Sequence, residues 1–211
     1  HSLDMVLLTH PHEDHVASAT EVLRRYDVAL VLEREFDYPS PQYALWRSTL
    51  VERGVPVLQA LAGQRIKLDE GLVLEVLYPP DRLLGGTSSD VNNASVVTRL
   101  VYGDTSFLLT GDLEREGEDF LLYRSVPLQS TVLKVAHQGS RTSTSLEFAR
   151  EVSPQFAVIP VGEDNRFGHP HQETLDTLAE VVGEARILIT SVRGDVEFIS
   201  DGSRLRMRTE R

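Results

Sequence analysis

No cysteine occurs in the 211 residues. Thiolate metal sites, disulfides and cysteine nucleophiles are thereby excluded, leaving imidazole and carboxylate as the available metal ligands. Excess positive charge is missing as well: 21 Lys and Arg stand against 32 Asp and Glu, a formal net charge of -11. A broad grip on a phosphate backbone needs Lys and Arg to displace counterions, so any nucleic-acid contact must be local. Long apolar runs are also lacking. No segment approaches the ~18 to 20 residues that span a bilayer, and no basic N-terminal stretch leads into an apolar one. The chain therefore reads as soluble as it stands. Fixed-period repeats, low-complexity tracts and composition shifts are absent, and 41% hydrophobic with 25% charged residues suffices for one core. One domain over 1–211 is the economical reading.

Periodicity divides that domain into two alternating stretches around a sheet-rich middle. Asp4 to Thr9 is a short buried-strand run, followed by a helix from about Val16 to Tyr26 with Val16, Ala19, Leu23 and Tyr26 on one face. Val28 to Leu32 reads as a strand. Ser40-Pro41 supplies a cap and first-turn proline for a helix to about Glu52, closed by Gly54. From Pro56 to Tyr78 short strands are separated by Gly63 and Gly71, and a Gly/Ser/Asn-rich loop covers Gly85 to Asn93. Ala94 to Tyr102 and Ser106 to Leu109 flank a Gly103-Asp104 hairpin, and Glu114 to Tyr123 reads as helical. Strands at Thr131 to Ala136 and Phe156 to Val161 bracket a helix near Ser145 to Val152, and another helix spans Gln172 to Val182. A hairpin through Asp201-Gly202 ends the chain.

The chemistry concentrates in Thr9-His10-Pro11-His12-Glu13-Asp14-His15, three imidazoles and an aspartate within six positions directly after a buried strand. Folding does not ask for this. A polar helix start would account for one such residue, not four of ligand type. A turn at a strand end can aim alternate side chains into one cleft, so His10 and His12 can share one ion while Asp14 and His15 face a second.

His10-x-His12-x-Asp14-His15 resembles the HxHxDH signature of the metallo-β-lactamase superfamily, whose fold is a four-layered αββα sandwich of α/β (α+β) class with metals at one edge. Leu108-Leu109-Thr110-Gly111-Asp112 is similar to the strand-Gly-Asp element where that superfamily places a carboxylate bridging two metals. Three further elements are similar to ComEC-type DNA internalisation proteins: Asn92-Asn93-x-Ser95; Lys134-Val135-Ala136-His137-Gln138-Gly139-Ser140, close to their HHGS element; and Asn165-Arg166-Phe167-Gly168-His169-Pro170, close to N-x-[FY]-GHP.

The resemblance implies two divalent metal ions, zinc or manganese. His10, His12 and His137 would hold one, Asp14, His15 and His169 the other, with Asp112 bridging; Asp14 and Asp112 are the carboxylates assigned to catalysis. Ser140, Thr142 and Ser143 follow His137, where hydroxyls or N–H groups can meet a phosphate oxygen, and Asn165 and His171 are further candidates to bind or support substrate. The implied activity is hydrolysis of DNA phosphodiesters during competence-related uptake, degrading the strand that is not imported. It would take place outside the cytoplasm, beside a transmembrane channel portion of the same protein, this chain being a fragment of it.

Three departures stand against that pattern. The second His of HHGS is Gln138, a poorer ligand for zinc or manganese than imidazole. No His lies between His15 and His137. The upstream strands with D-x-G-Q-G-D are not in this sequence, so the sandwich lacks edge strands or the chain is a piece of a longer one. These leave two rivals: a metal-poor binding or scaffold module of the uptake channel, and a metallo-hydrolase of another small ester or phosphodiester.

Overall fold

The computed structural model describes residues 1–211. Its strands and helices run in the order β1 (Ser2–Leu3), β2 (Val6–Leu8), α1 (Glu13–Arg25), β3 (Asp27–Val28), β4 (Val31–Glu33), α2 (Pro41–Arg53), β5 (Val57–Gln59), β6 (Arg65–Asp69), β7 (Leu72–Tyr78), β8 (Val97–Tyr102) and β9 (Thr105–Leu109). They continue through α3 (Arg115–Tyr123), β10 (Val132–Lys134), α4 (Leu146–Val152), β11 (Phe156–Ile159), α5 (Gln172–Val182), β12 (Ile187–Ile189), α6 (Thr190–Arg193), β13 (Val196–Ser200) and β14 (Leu205–Thr209).

Two sheets are sandwiched between helical layers. The smaller is parallel, ordered β2-β4-β5; the larger has seven strands ordered β12-β11-β10-β9-β8-β7-β6. Strand alternation makes the layering. In β4 the side chain of Val31 enters a core with Leu8, Val16, Leu23, Trp46 and Leu50, which joins the small sheet to α1 and α2. Its neighbour Leu32 points the opposite way, into a core with Leu74, Val76 and Val96 that joins the two sheets. A third core packs α3, α4 and α5 on the outer face of the large sheet through Leu121, Phe148 and Leu178. Helix, sheet, sheet, helix is the αββα order. Full burial of side chains such as Trp46 and Phe148 contributes on the order of 1.5–3 kcal/mol each.

The large sheet changes character at β9. From β6 to β9 its neighbours are antiparallel, while β9, β10, β11 and β12 run parallel. Leu108, Leu133 and Ala157 lie in one cross-strand row, so the ends of β9, β10 and β11 fall side by side. Parallel strands that finish together put their following loops into one crevice.

Local signals place most elements. Ser40 caps α2 by accepting from the Tyr43 N–H at 3.3 Å, Pro41 opens it, and Gly54 closes it in the left-handed region at φ 63°. Three expectations need correction. Val28 to Leu32 is not one strand: β3 pairs with β1 and β4 with β2, so the chain changes partner at Ala29-Leu30. Helix α1 starts at Glu13 rather than Val16, which sets Asp14 and His15 in its first turn. Ile187–Ile189 is an edge strand that sequence reading passed over, being three residues long with no alternation to display.

Candidate metal centre

The site is built from the loop after β2 and the loops after β9, β10 and β11. Gly111 makes their meeting possible. At φ 56° it adopts a left-handed turn, and a Cβ there would lie 2.9 Å from Ser95 Oγ and 3.1 Å from Thr9 Cβ. With only a hydrogen in that space, the β9 end closes onto the β2 end, and Val96 N–H donates to Thr9 C=O at 2.8 Å.

Asp112 lies at the centre and is buried. Its Oδ2 is 3.3 Å from His15 Nε2, 3.9 Å from His10 Nε2 and 3.9 Å from His137 Nε2. One ligand atom each from His10, His15 and Asp112 falls within a 4.8 Å sphere of mutual distances. His12 joins through its Nδ1, 3.1 Å from His10 Nε2. Asp14 stands at the exposed rim with Oδ2 3.7 Å from His15 Nε2. His169 packs edge-on to His137, ring centroids 5.5 Å apart. The seven residues expected as ligands therefore lie in one region, His10, His15 and Asp112 closest together and Asp14 and His169 at its margin. Gln138 is not among them.

The imidazoles are oriented from behind. Thr9 Oγ1 lies 3.1 Å from His10 Nδ1 and 3.2 Å from His15 Nδ1, so one hydroxyl addresses both rings and leaves both Nε2 atoms toward Asp112. Ser95 Oγ accepts from Asp112 N–H at 3.0 Å and lies 3.4 Å from His10 Nδ1. Glu114 does the same for the third ring. Its Oε1 is 3.4 Å from His137 Nδ1, and the carboxylate accepts from Asn92 at 2.9 Å, Ser88 at 2.8 Å and Thr142 at 3.1 Å. His137 and Gln138 both occupy the left-handed region, φ 48° and 54°. Two such residues in succession are costly for side chains with a Cβ, and here they turn His137 back toward Asp112.

Protonation follows the surroundings. Burial, followed by the neighbouring His15, takes His10 down to about 2; His12 and His169 are lowered chiefly by burial. Burial would raise Asp112, but His15, Lys134 and His10 outweigh it and hold the carboxyl below the usual range. Burial lowers His137 less than Glu114 and Asp112 raise it. Lys134 is lowered by burial against the pull of Asp112; its Nζ donates to Gly111 C=O at 2.7 Å and lies 3.9 Å from Asp112 Oδ1. Lowered His10, His12 and His169 beside a carboxyl held ionised at Asp112 favour the forms that bind cations. Asp112 Oδ1 is buried without a hydrogen-bond partner, an acceptor left open for one. The donor set fits a divalent metal.

The remaining candidates divide. Ser140 Oγ and Thr142 Oγ1 lie 3.0 Å apart, and Thr142 is engaged by Glu114. Ser143 Oγ is buried and unpartnered. Asn165 accepts from His169 N–H and donates to His169 C=O, both at 2.8 Å, so its amide shapes the loop that presents His169. His171 Nδ1 accepts from Arg141 N–H at 3.1 Å, its ring 4.8 Å from that of His169. Glu114 and Thr9 are not among the candidates the sequence suggests. Glu114 reads as an ordinary acid at a helix start, and Thr9 as the last residue of a strand.

An αββα sandwich with histidines and an aspartate gathered at one sheet edge defines a metal-binding protein of hydrolase architecture. Residues 2–163 match the family described as the metallo-beta-lactamase superfamily, and the chain belongs to it. It is similar to ComE operon protein 3 of Bacillus subtilis (strain 168), 34% identical over 200 residues that cover 93% of this chain and 24% of that protein. It is also similar to Competence protein ComA of Neisseria gonorrhoeae, 36% identical over 138 residues, covering 65% of this chain and 19% of that one. The chain thus spans about a quarter or less of the length of these relatives. Among solved structures, CmlA, a diiron beta-hydroxylase from Streptomyces venezuelae, superposes with a TM-score of 0.57 at 15% identity, over 89% of this chain and 43% of its own. That likeness concerns the fold alone. No helix here is long and apolar enough to cross a membrane.

Proposed function

We propose that this chain is the nuclease domain of a competence-related DNA-uptake protein, a two-metal phosphodiester hydrolase that degrades the strand not imported. The observation carrying the reading is the gathering of His10, His15 and His137 around buried Asp112, with His12, Asp14 and His169 beside them. His10, His12 and His137 would hold one ion and Asp14, His15 and His169 the other, Asp112 would serve both, and zinc or manganese would be the metal. When bound, two such cations supply water activation at neutral pH and neutralise charge on a scissile phosphate.

The chain's own residues set the rest. Thr9 and Glu114 fix three imidazoles with Nε2 inward. Lys134 adds a cation behind Asp112, offsetting part of the carboxylate charge. We assign Ser140, Thr142 and Ser143, after the His137 turn, to a phosphate oxygen, which requires the Thr142 hydroxyl to leave Glu114 and the buried Ser143 hydroxyl to open, and exposed Asp14 to a proton from the cleft. The relatives' names, a competence protein and a protein of the ComE operon, support a competence-related role; DNA as substrate, a membrane channel portion as partner and the extracytoplasmic face as location are what the resemblance of the motifs implies. A net charge of -11 makes the metals the principal attraction for a polyanion.

The test is cleavage of a short oligonucleotide by the 211-residue chain with added Mn or Zn, beside Asp112→Ala. The parent should cut and bind close to two equivalents of metal, and the variant should lose both. Equal cutting by the variant overturns the bridging role. A folded parent that binds no metal favours the rival reading of a scaffold module, for which Gln138 in place of a histidine is the supporting observation.

A further inference from the structure

We infer that the centre is flanked by two aromatic platforms that hold unpaired nucleobases, so that the preferred substrate is a single strand or a frayed end rather than a closed duplex. This rests on the nuclease reading above and names its substrate class. Each histidine-bearing end of the site carries its own ring. Tyr38 packs edge-on to His12, centroids 5.7 Å apart, and Phe167 stacks on His169, 5.8 Å apart with planes 28° from parallel.

The two rings differ in setting. Phe167 is 73% exposed, its ring stacked on His169 and otherwise open to solvent. Its loop is nonetheless fixed, because Asn165 clamps the His169 backbone from both sides. Tyr38 forms part of the wall of a cavity of about 710 Å³ together with Phe36, Tyr43, Glu35, Asp37 and Arg47.

Charge identifies what the cavity accepts. Arg47 is held by Glu33 and, at 3.3 Å, by Glu35, so its cation is already compensated. Asp37 adds a further carboxylate. A phosphate would be repelled from such walls. A nucleobase is uncharged, presents a flat π face to Tyr38 and Phe36, and offers exocyclic N–H donors to Glu35 and Asp37. Base stacking also answers the deficit of positive charge, since it holds a strand without counterion release.

The experiment uses short single-stranded oligonucleotides, intact or with one abasic position stepped along the strand, and two readouts: Mn-dependent cleavage, and binding followed by quenching of 2-aminopurine in the strand. For the parent, abasic positions one or two nucleotides either side of the cut should weaken KM and binding about 5- to 150-fold. Phe167→Ala and Tyr38→Ala should show the same loss on the intact strand and no further loss on the matching abasic one, with rescue by Phe167→Tyr and Tyr38→Phe. Duplex ends sealed by hairpins should be poorer substrates than open ends. Phe167 is exposed, so its variant also serves should Tyr38→Ala fail to fold. A parent that cleaves abasic and intact strands equally, or sealed and open duplexes equally, overturns the inference while sparing the nuclease reading. A parent that neither binds nor cleaves any strand overturns both.

Discussion

The two halves of the molecule contribute to the centre by different routes. The first sends four ligand-type residues from one continuous segment, His10 to His15, at the edge of a small parallel sheet covered by α1 and α2. The second sends three from three loops, Asp112, His137 and His169, gathered only because β9, β10 and β11 end side by side. Contiguity makes the first set nearly independent of tertiary structure for its grouping. The second exists only in the folded sheet, and its geometry is maintained by props elsewhere: Gly111, Glu114, Glu118 and the left-handed turn at His137.

The sharpest way to break this arrangement is to hold the halves apart. Gly111→Ala places a methyl group 2.9 Å from Ser95 Oγ and 3.1 Å from Thr9 Cβ, at φ 56°. Steric displacement and left-handed strain together should cost about 2–5 kcal/mol. The urea midpoint of the variant should fall accordingly, and metal binding should weaken beyond what the stability loss explains. Unchanged metal affinity in the folded variant would mean that the first loop binds without the second half.

Next in size are the supports behind the rings. Thr9→Val removes the hydroxyl shared by His10 and His15, and Glu114→Gln removes the carboxylate behind His137. Loss of an outer partner of a metal-ligating histidine typically costs 10–100-fold in affinity. Both variants should fall about there, measured by competition with a chromophoric chelator. Because the two supports serve different halves, their effects should multiply in the double variant if the halves respond independently. A double variant no worse than either single one would show that they act as one unit.

The grouping of the first four candidate ligands is legible in the sequence, since imidazoles spaced two and five apart after an apolar run need no fold to be noticed. Asp112, His137 and His169 were legible only through resemblance; singly, each also suits a turn, a core or a loop. The fold followed where local signals are strong, as at Ser40, Pro41 and Gly54 around α2. It failed at Ala29-Leu30, where an unbroken apolar run changes pairing partner, and at Ile187–Ile189, which is too short to show a period. Glu114 and Thr9 were invisible for a further reason: their role depends on which ring atom lies beside them, and spacing carries no such information.

The smallest effect concerns a buried acid that the second half uses and the chemistry does not. Glu118 on α3 is fully buried and accepts the N–H groups of Thr144 and Ser145, the latter at 2.9 Å, tying down the segment after the His137 turn. Its counterpart in the first half, Glu33, is buried too but is met by Arg47 and by Trp46 Nε1 at 2.6 Å. Burial raises both carboxyls above the ordinary 4.5, and Glu118 has no hydrogen-bonded cation to relieve it. For an acid whose folded pKa is raised, the contribution to stability is fully present below the unfolded value and is lost as pH rises through the folded one. Glu118→Gln abolishes that titration while leaving one oxygen to accept where two carboxylate oxygens did. Its cost, on the order of 1–3 kcal/mol for the unsatisfied N–H, should be largest near pH 4.5 and shrink toward neutral pH as the parent loses its own advantage. Urea midpoints of parent and variant in chelator at pH 4.5, 6 and 7.5 measure the gap. A gap that widened with pH would mean that the ionised carboxylate is the form the second half requires.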